Sequence, residues 1–562
     1  MIQRLIKRCR EWLWLNGPVV AVYVLATWLT GASFMGDSPY YVDSIVAHAN
    51  GGGSEFWEFG HLFWRPLGRL ASQALLPVTR VFVGADYRLN VWLTLLIICW
   101  VCGLLAAVSL CGLVRAVCQK RWAANLTAIA FILTSSLLNY SQSGTAYVPG
   151  LSFLMLGFWL LARDRAEPAR PMWRSLAAGV TLGIAVCLWF PYVWAIPAAL
   201  ASPLLLFDPD RRRLRLTLAT TLVCAIFGIV SYGIVIALLG IHDLAGLKAW
   251  ITAASHGQEQ GGVARIIFGL PRSWIDMGRD GMFIKRYLLH DPFNPVSAVD
   301  LLRLSLWKLA LFYLTLGAVA VTLLLSARGR KILALLVLNA VPLLVFAFFF
   351  DGGAVERYFP LYPTLFLALA WTFASEPRRV WLVAIPLVFI VAAGLTNLRV
   401  MWKSRLDAEQ EVVADRVRDL VPNLKPGSRV VVAHLEDELA NFRKSYPFHP
   451  LNRADRLDVY ALVIPGTVRA VNWRQMLAAQ AQQAWQSGGE VWVSRRLLAP
   501  RPESAWNWVE GDDKRISWTN LSAFFAQLEM GQSSGGNDGF LLLPPSPKNQ
   551  ALLGGGTVEQ TK

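Results

Sequence analysis

The sequence predicts an α-helical polytopic membrane protein that carries a C-terminal extracytoplasmic α/β domain. Three observations set that class. Of 562 residues, 55% are hydrophobic and only 16% are charged, where a soluble chain carries about 25% charged residues. The mean hydropathy is +0.43. The chain also holds 24 Trp and 28 Phe, side chains that anchor at membrane interfaces. With 43 Gly and 29 Pro, collagen-like and low-complexity readings fail.

A spanning helix needs about 20 mostly apolar residues. Hydropathy and helix breakers mark about eleven candidate spans, at 17–34, 91–113, 123–138, 147–161, 176–190, 192–207, 216–239, 306–325, 332–350, 359–373 and 380–395. Pro191 divides the fifth from the sixth, either as a tight turn or as a kink. The basic start, with Arg4, Lys7, Arg8 and Arg10, is followed by no clear small-x-small cleavage pattern, so the first span reads as a retained anchor.

The net charge of +16 fits either a nucleic-acid surface or the cytoplasmic loops of a many-span protein. Its distribution decides. With the N-terminus in the cytoplasm, the inside segments hold about 20 Lys and Arg against 6 Asp and Glu, the asymmetry expected of cytoplasmic loops. That accounts for nearly all of the excess, so no nucleic-acid partner is expected. The expected location is the cell inner (plasma) membrane, multi-pass. Long outer loops fall at 35–90 and 240–305, each expected to contain helices lying along the membrane surface.

The transmembrane region is expected at 1–398. From 399 to 543 apolar strand-like runs alternate with helix-like stretches, which predicts a small α/β domain with parallel strands. Residues 544–562 read as a disordered tail. The seven cysteines lie in apolar or cytoplasmic segments. Cys99-Trp100-Val101-Cys102 sits inside an apolar helix with no second pair, so it reads as helix packing and not as a redox or metal pair. His434-Leu435-Glu436-Asp437-Glu438 matches no metal pattern.

Ionisable residues at a membrane boundary are costly unless paired or used. Three elements stand out. The first outer loop opens Gly36-Asp37-Ser38-Pro39-Tyr40-Tyr41-Val42-Asp43; Asp37 is either a reactive carboxylate or a helix N-cap. The same loop continues Glu58-Phe59-Gly60-His61-Leu62-Phe63-Trp64-Arg65-Pro66-Leu67. Arg65 there can hold a phosphate bidentately or merely snorkel. The third element, Glu356-Arg357-Tyr358-Phe359-Pro360-Leu361-Tyr362-Pro363, stands at the outer mouth of a span. It is either a functional group or a turn with a weak local ion pair.

Together these elements resemble the GT-C integral membrane glycosyltransferases, in particular the protein O-mannosyltransferase and lipid A aminoarabinose transferase group. Asp37 is similar to the family's first-loop aspartate, His61 to Leu67 to its "(H/K)-x-P-L" region, and Glu356 to Pro363 to its "(E/A)RY-L-x-x-x-P" motif. The resemblance implies a GT-C-like membrane domain and transfer of a sugar, with inversion, from a polyprenyl-phosphate carrier to an acceptor hydroxyl at the outer face. Asp37 is then the expected catalytic base. Asp43, His61, Arg65, Glu356, Arg357 and Tyr358 are the expected substrate-binding residues. Arg265, Arg272, Lys285, Arg286 and His290 are weaker candidates. The implied partners are the polyprenyl-phosphate-linked sugar donor, a lipid, glycan or protein acceptor, and membrane lipid.

Two departures from the family pattern matter. Residues 139–147 contain no acid where many members place one, and Asp37 is followed by Ser38 and not by a second acid. No cofactor or metal site is therefore expected, although a divalent metal stays open. Two other functions compete: a lipid-linked polysaccharide ligase or polymerase that relies on the cations of the 240–305 loop, and a non-enzymatic transporter or flippase. A scaffold without catalysis is a further reading.

Overall fold

The structure is a computed structural model. It describes residues 2–52, 56–163, 172–207, 211–254, 262–277, 297–350, 352–375, 379–420, 428–433, 446–449, 458–462, 473–494, 497–498, 518–533, 539–542 and 546–553. The chain falls into two compact units, divided after Lys403. The boundary expected at 398/399 would cut the helix Trp381–Val400.

The first unit is helical. It begins with α1 (Ile2–Leu29), α2 (Ser38–Ala49), α3 (Trp64–Val83), α4 (Tyr87–Cys118), α5 (Arg121–Ile132), α6 (Ser135–Tyr140) and α7 (Tyr147–Ala162). Next come α8 (Met172–Leu188), α9 (Ile196–Leu206), α10 (Arg211–Leu238), α11 (Leu244–Ala253) and α12 (Val263–Trp274). The helices Trp307–Leu324, Ala327–Phe349, Tyr362–Ala374 and Trp381–Val400 complete the bundle. Among the described residues, five helices are long and apolar enough to cross a membrane: α4, α10, Trp307–Leu324, Ala327–Phe349 and Trp381–Val400.

Several sequence boundaries move for local reasons. The span expected at 123–138 is broken into α5 and α6. There Thr134 turns extended, and its hydroxyl accepts from Leu137 N as the N-cap of α6. Pro191 is a break and not a kink: α8 stops at Leu188, Trp189 is extended, and a 3-10 turn, Phe190–Ala195, precedes α9. A second 3-10 turn, Val355–Leu361, precedes Tyr362–Ala374, with Pro363 in that helix's first turn. In the segment expected as the first outer loop, α3 contains no acidic residue. It exposes Leu70, Val81 and Phe82.

The core of this unit gathers around Phe131, Tyr362, Phe366 and Trp274. Trp274 stacks on Phe366 with ring centroids 4.4 Å apart. Close approach also fixes α12 against the 350s turn. A Cβ at Gly269 would sit 2.0 Å from Gly352 O, a distance that excludes every side chain and explains why glycine occupies the position.

The second unit contains a five-stranded sheet, β1 (Arg429–Ala433), β2 (Asp458–Leu462), β3 (Val491–Ser494), β4 (Met530–Ser533) and β5 (Gly539–Leu542), in the order β2-β1-β3-β5-β4. β1 pairs in parallel with β2 and β3, whereas β5 runs antiparallel to β3 and β4. The sheet is therefore mixed, not wholly parallel. β4, Met-Gly-Gln-Ser, has no apolar run by which sequence alone reveals it. Val431, Leu477, Val493 and Phe525 form its core. The expected disordered tail also needs correction. Pro547–Leu553 is helical, Leu553 is buried, and Asn549 bonds both the N–H and the carbonyl of Glu529. Residues 434–438 lie outside the described residues.

Candidate active site

The chain leaving α1 is pinned before it reaches Asp37. Asn139 Oδ1 accepts from Ser33 N and Phe34 N at 2.9 Å each, and Asn139 Nδ2 donates to Phe34 O at 2.7 Å. Gly36 then takes a left-handed φ of +57°, which other residues adopt at a cost. Its Cα faces Thr145 and Tyr140 so closely that a Cβ would lie 3.3 Å from Thr145 Cγ2. Ser38 and Pro39 open α2, with the Ser38 hydroxyl donating to Met35 O at 2.6 Å. Asp37 holds the N-cap position of α2 through its backbone, but its side chain makes no capping bond. The carboxylate instead accepts the hydroxyl of Tyr147, the first residue of α7.

The opposite wall comes from the 3-10 turn Val355–Leu361. Tyr140, the last residue of α6, donates to Glu356 Oε2 at 2.9 Å. Burial raises the Glu356 pKa above the ordinary carboxylate range, with Arg357 opposing. The Arg357 guanidinium lies 5.8 Å from the Trp189 ring, 5.9 Å from Phe346 and 5.8 Å from Phe350. Its Nε is buried without a hydrogen-bond acceptor among the described residues. This is a cation held by aromatic faces and left with donor capacity.

A third wall is the segment from Glu58 to Arg65. His61 Nδ1 faces Leu188 O at 3.3 Å and Nε2 faces the Tyr41 hydroxyl at 3.0 Å. A carbonyl only accepts, so Nδ1 carries the proton and Nε2 accepts from Tyr41. Burial pulls the His61 pKa below the usual histidine value, with Glu58 opposing. Arg65 is fully buried and pairs with Glu58 at 2.6 Å. It lies 4.8 Å from the Tyr40 ring and 5.3 Å from the Tyr41 ring.

These walls enclose a cavity of about 810 Å³ lined by Asp37, Glu58, His61, Glu356 and Arg357, with Arg265, Arg272 and Asp276 from α12 and the residues after it. Asp37, His61, Glu356 and Arg357 are thus brought together. Three other expected residues stand apart from the lining. Asp43 is solvent-facing and paired with Arg88 at 2.8 Å. Arg65 lies behind Tyr40 and Tyr41. Tyr358 is buried, its hydroxyl bracing Gly352 O at 2.6 Å. Of the weaker candidates, Arg265 and Arg272 line the cavity, while Lys285, Arg286 and His290 lie outside the described residues. Sequence reasoning missed Glu58, Asn139, Tyr140 and Tyr147 as site residues. The available signal was the polar turn Asn139-Tyr140-Ser141-Gln142-Ser143-Gly144-Thr145 between two apolar helices. No group of three or more His, Cys, Asp or Glu fit to hold a metal ion occurs among the described residues.

No protein-family model and no curated protein matches the sequence. Solved structures do match. ArnT from Cupriavidus metallidurans in the apo state aligns with TM-score 0.51 at 10% identity, over 96% of this chain and 100% of ArnT. The same protein bound to undecaprenyl phosphate aligns with TM-score 0.50 at 10% identity, over 95% and 99%. The Archaeoglobus fulgidus oligosaccharyltransferase in complex with Zn and sulfate aligns with TM-score 0.47 at 16% identity, over 97% of this chain and 76% of its own. The structure resembles the GT-C glycosyltransferase group, and its membrane unit has an ArnT-like fold.

Proposed function

We propose that this chain is a membrane glycosyltransferase that moves a sugar from a polyprenyl-phosphate carrier to an acceptor hydroxyl, with inversion. The observation that carries the reading is the presence of Asp37 and Arg357 in one cavity. The ArnT-like fold supports it, since that protein was solved with undecaprenyl phosphate bound.

The chemistry follows from the residues. The acceptor oxygen attacks the anomeric carbon as the bond from that carbon to the phosphate oxygen breaks, and Asp37 takes the hydroxyl proton. Negative charge grows on the departing phosphate. Arg357, whose Nε has no partner among the described residues, is placed to donate to it. Burial shifts Glu356 toward its neutral form, which lessens the charge it sets against that anion. Asp43, Arg65 and Tyr358 serve as supports in this scheme and do not touch substrate.

In this reading the protein sits in the inner (plasma) membrane with its N-terminus in the cytoplasm and the cavity on the outer side. The acceptor is a lipid, glycan or protein, and no nucleic acid takes part. A second reading, a ligase or polymerase acting on lipid-linked polysaccharide, draws on Arg265 and Arg272 in the cavity lining.

The test is sugar transfer from radiolabelled undecaprenyl-phosphate-linked hexoses and pentoses by membranes containing Asp37→Asn at wild-type abundance. Loss of transfer is expected, and wild-type turnover removes Asp37 from the mechanism. Dependence on Arg265 and Arg272 with independence from Asp37 would favour the second reading.

A further inference from the structure

The cavity contains three ring side chains that the transfer chemistry above does not use. The Tyr41 and His61 ring centroids are 5.2 Å apart, and those of His61 and Tyr147 are 5.8 Å apart. The Tyr147 hydroxyl donates to Asp37, and Tyr147 stands near enough to Tyr41 to act on its hydroxyl. The Tyr41 hydroxyl in turn meets His61 Nε2 at 3.0 Å, while Nδ1 is anchored on Leu188 O. Polar groups therefore line the way from Asp37 to His61, with the rings of Tyr41 and Tyr147 both flanking the imidazole, inside a site where an isolated buried proton carrier would be costly.

We propose that the proton Asp37 takes from the acceptor hydroxyl passes through the hydroxyls of Tyr147 and Tyr41 to Nε2 of His61. The inference rests on Asp37 being the base. The protons balance. The acceptor O–H bond breaks and the Asp37 O–H bond forms. Protonated Asp37 then donates to the Tyr147 oxygen, which frees the Tyr147 hydroxyl to turn toward Tyr41. In one concerted shift the Asp37 O–H bond breaks and its proton moves onto the Tyr147 oxygen, the Tyr147 proton moves onto the Tyr41 oxygen, and the Tyr41 proton moves onto Nε2. Both tyrosines end neutral, Asp37 is again a carboxylate, and His61 becomes an imidazolium.

Burial and Arg65 oppose that end point, so the imidazolium is short-lived, while Glu58 and Asp37 favour it. Glu58, Arg65 and Asp37 are the charged groups facing His61. The Glu58 carboxylate stabilises an imidazolium, and Arg65 is itself paired with Glu58 at 2.6 Å. Burial keeps His61 neutral and ready to accept at pH 7. The imidazolium lines the cavity, so it can discharge to water once products leave.

The experiment measures release of undecaprenyl phosphate from radiolabelled hexosyl-undecaprenyl phosphate across pH 5 to 8. The proteins compared are wild type, Asp37→Asn, Tyr147→Phe, Tyr41→Phe, His61→Gln and the Tyr41→Phe/His61→Gln pair. Each relay variant is expected to lose about 10²-fold in kcat, with the pair no slower than either single change. The wild-type rate falls on the acid side of the ordinary histidine range, as His61, its pKa lowered by burial, becomes charged, and that limb disappears in His61→Gln. Wild-type kcat in His61→Gln or Tyr41→Phe, or an unchanged acid limb in His61→Gln, overturns the relay. If His61→Gln does not fold by thermal melting, Tyr41→Phe decides, because it keeps the ring and removes only the hydroxyl. Failure of the underlying reading is separate: it shows as turnover by Asp37→Asn.

Discussion

Asp37 and Glu356 lie 319 positions apart in sequence yet are joined through two tyrosines: Tyr147 donates to Asp37, Tyr140 donates to Glu356, and the two rings pack edge-on with centroids 5.2 Å apart. The pair of rings sets the spacing of two carboxyl groups from different loops. Removing one hydroxyl while keeping its ring isolates the polar part of that linkage. Tyr140→Phe leaves the buried Glu356 Oε2 without its donor, which costs about 1–3 kcal/mol. A lower melting temperature in detergent is expected, and an unchanged one would show that Glu356 finds another partner.

The pH dependence of stability carries the same signature. Burial raises the Glu356 pKa above its unfolded value. Between those two values the folded protein binds more protons than the unfolded chain, so stability is full below the ordinary carboxylate pKa and falls as pH rises through the folded value. Glu356→Gln mimics the neutral acid and still accepts from Tyr140. The variant is expected to melt higher than wild type at pH 8, with the gap closing toward pH 5. A gap that widens as pH falls would contradict the direction of the shift.

What the sequence revealed, and what it hid, has a physical pattern. Many helix positions were legible because apolar runs over a bilayer-length window are a local signal. Asp37, His61, Glu356 and Arg357 were legible because an ionisable residue beside an apolar span is conspicuous. Tyr140 and Tyr147 were not, since a tyrosine in a short polar turn has no distinguishing spacing, and its partners are set by tertiary packing. Arg65 is a different case. Its motif placed it beside aromatics, as expected, but only the fold reveals that one Nη of its guanidinium pairs with Glu58 and that it stands outside the cavity lining. Asp43 follows Asp37 by six positions, more than one helical turn, and points to Arg88 and solvent. The break at Thr134 was invisible to hydropathy because the hydroxyls of Ser135 and Ser136 find their acceptors at Arg272 O and Ser273 O, far along the chain, and the short polar stretch does not lower the window average far.

Gly36 offers a test of backbone placement separate from side-chain chemistry. Its φ of +57° costs an alanine about 1–2 kcal/mol, and the new methyl would meet Thr145 Cγ2 at 3.3 Å. The adjacent Asp37 would shift relative to Tyr147. Gly36→Ala is therefore expected to lower transfer about 10²-fold through misplacement of the base, with the protein still extracted as a folded species. Wild-type transfer would mean that the turn tolerates the substitution and that Asp37 is positioned from α2 alone.

Arg357 distinguishes charge from geometry. Three aromatic rings hold its guanidinium, and its Nε points into a buried space without an acceptor among the described residues. A planar fork on aromatic faces is a role that lysine fills poorly, because its ammonium is a compact, strongly hydrated charge. If Arg357 stabilises the departing phosphate, Arg357→Gln removes both charge and fork and is expected to lower kcat by about 10²–10³-fold. Arg357→Lys should recover only part of that loss, since it restores the charge without the bidentate geometry. A simple electrostatic role predicts instead that Lys restores nearly the whole rate. Initial rates for the two variants at saturating donor separate these cases, and equal activity of Arg357→Gln and wild type would remove Arg357 from the reaction altogether.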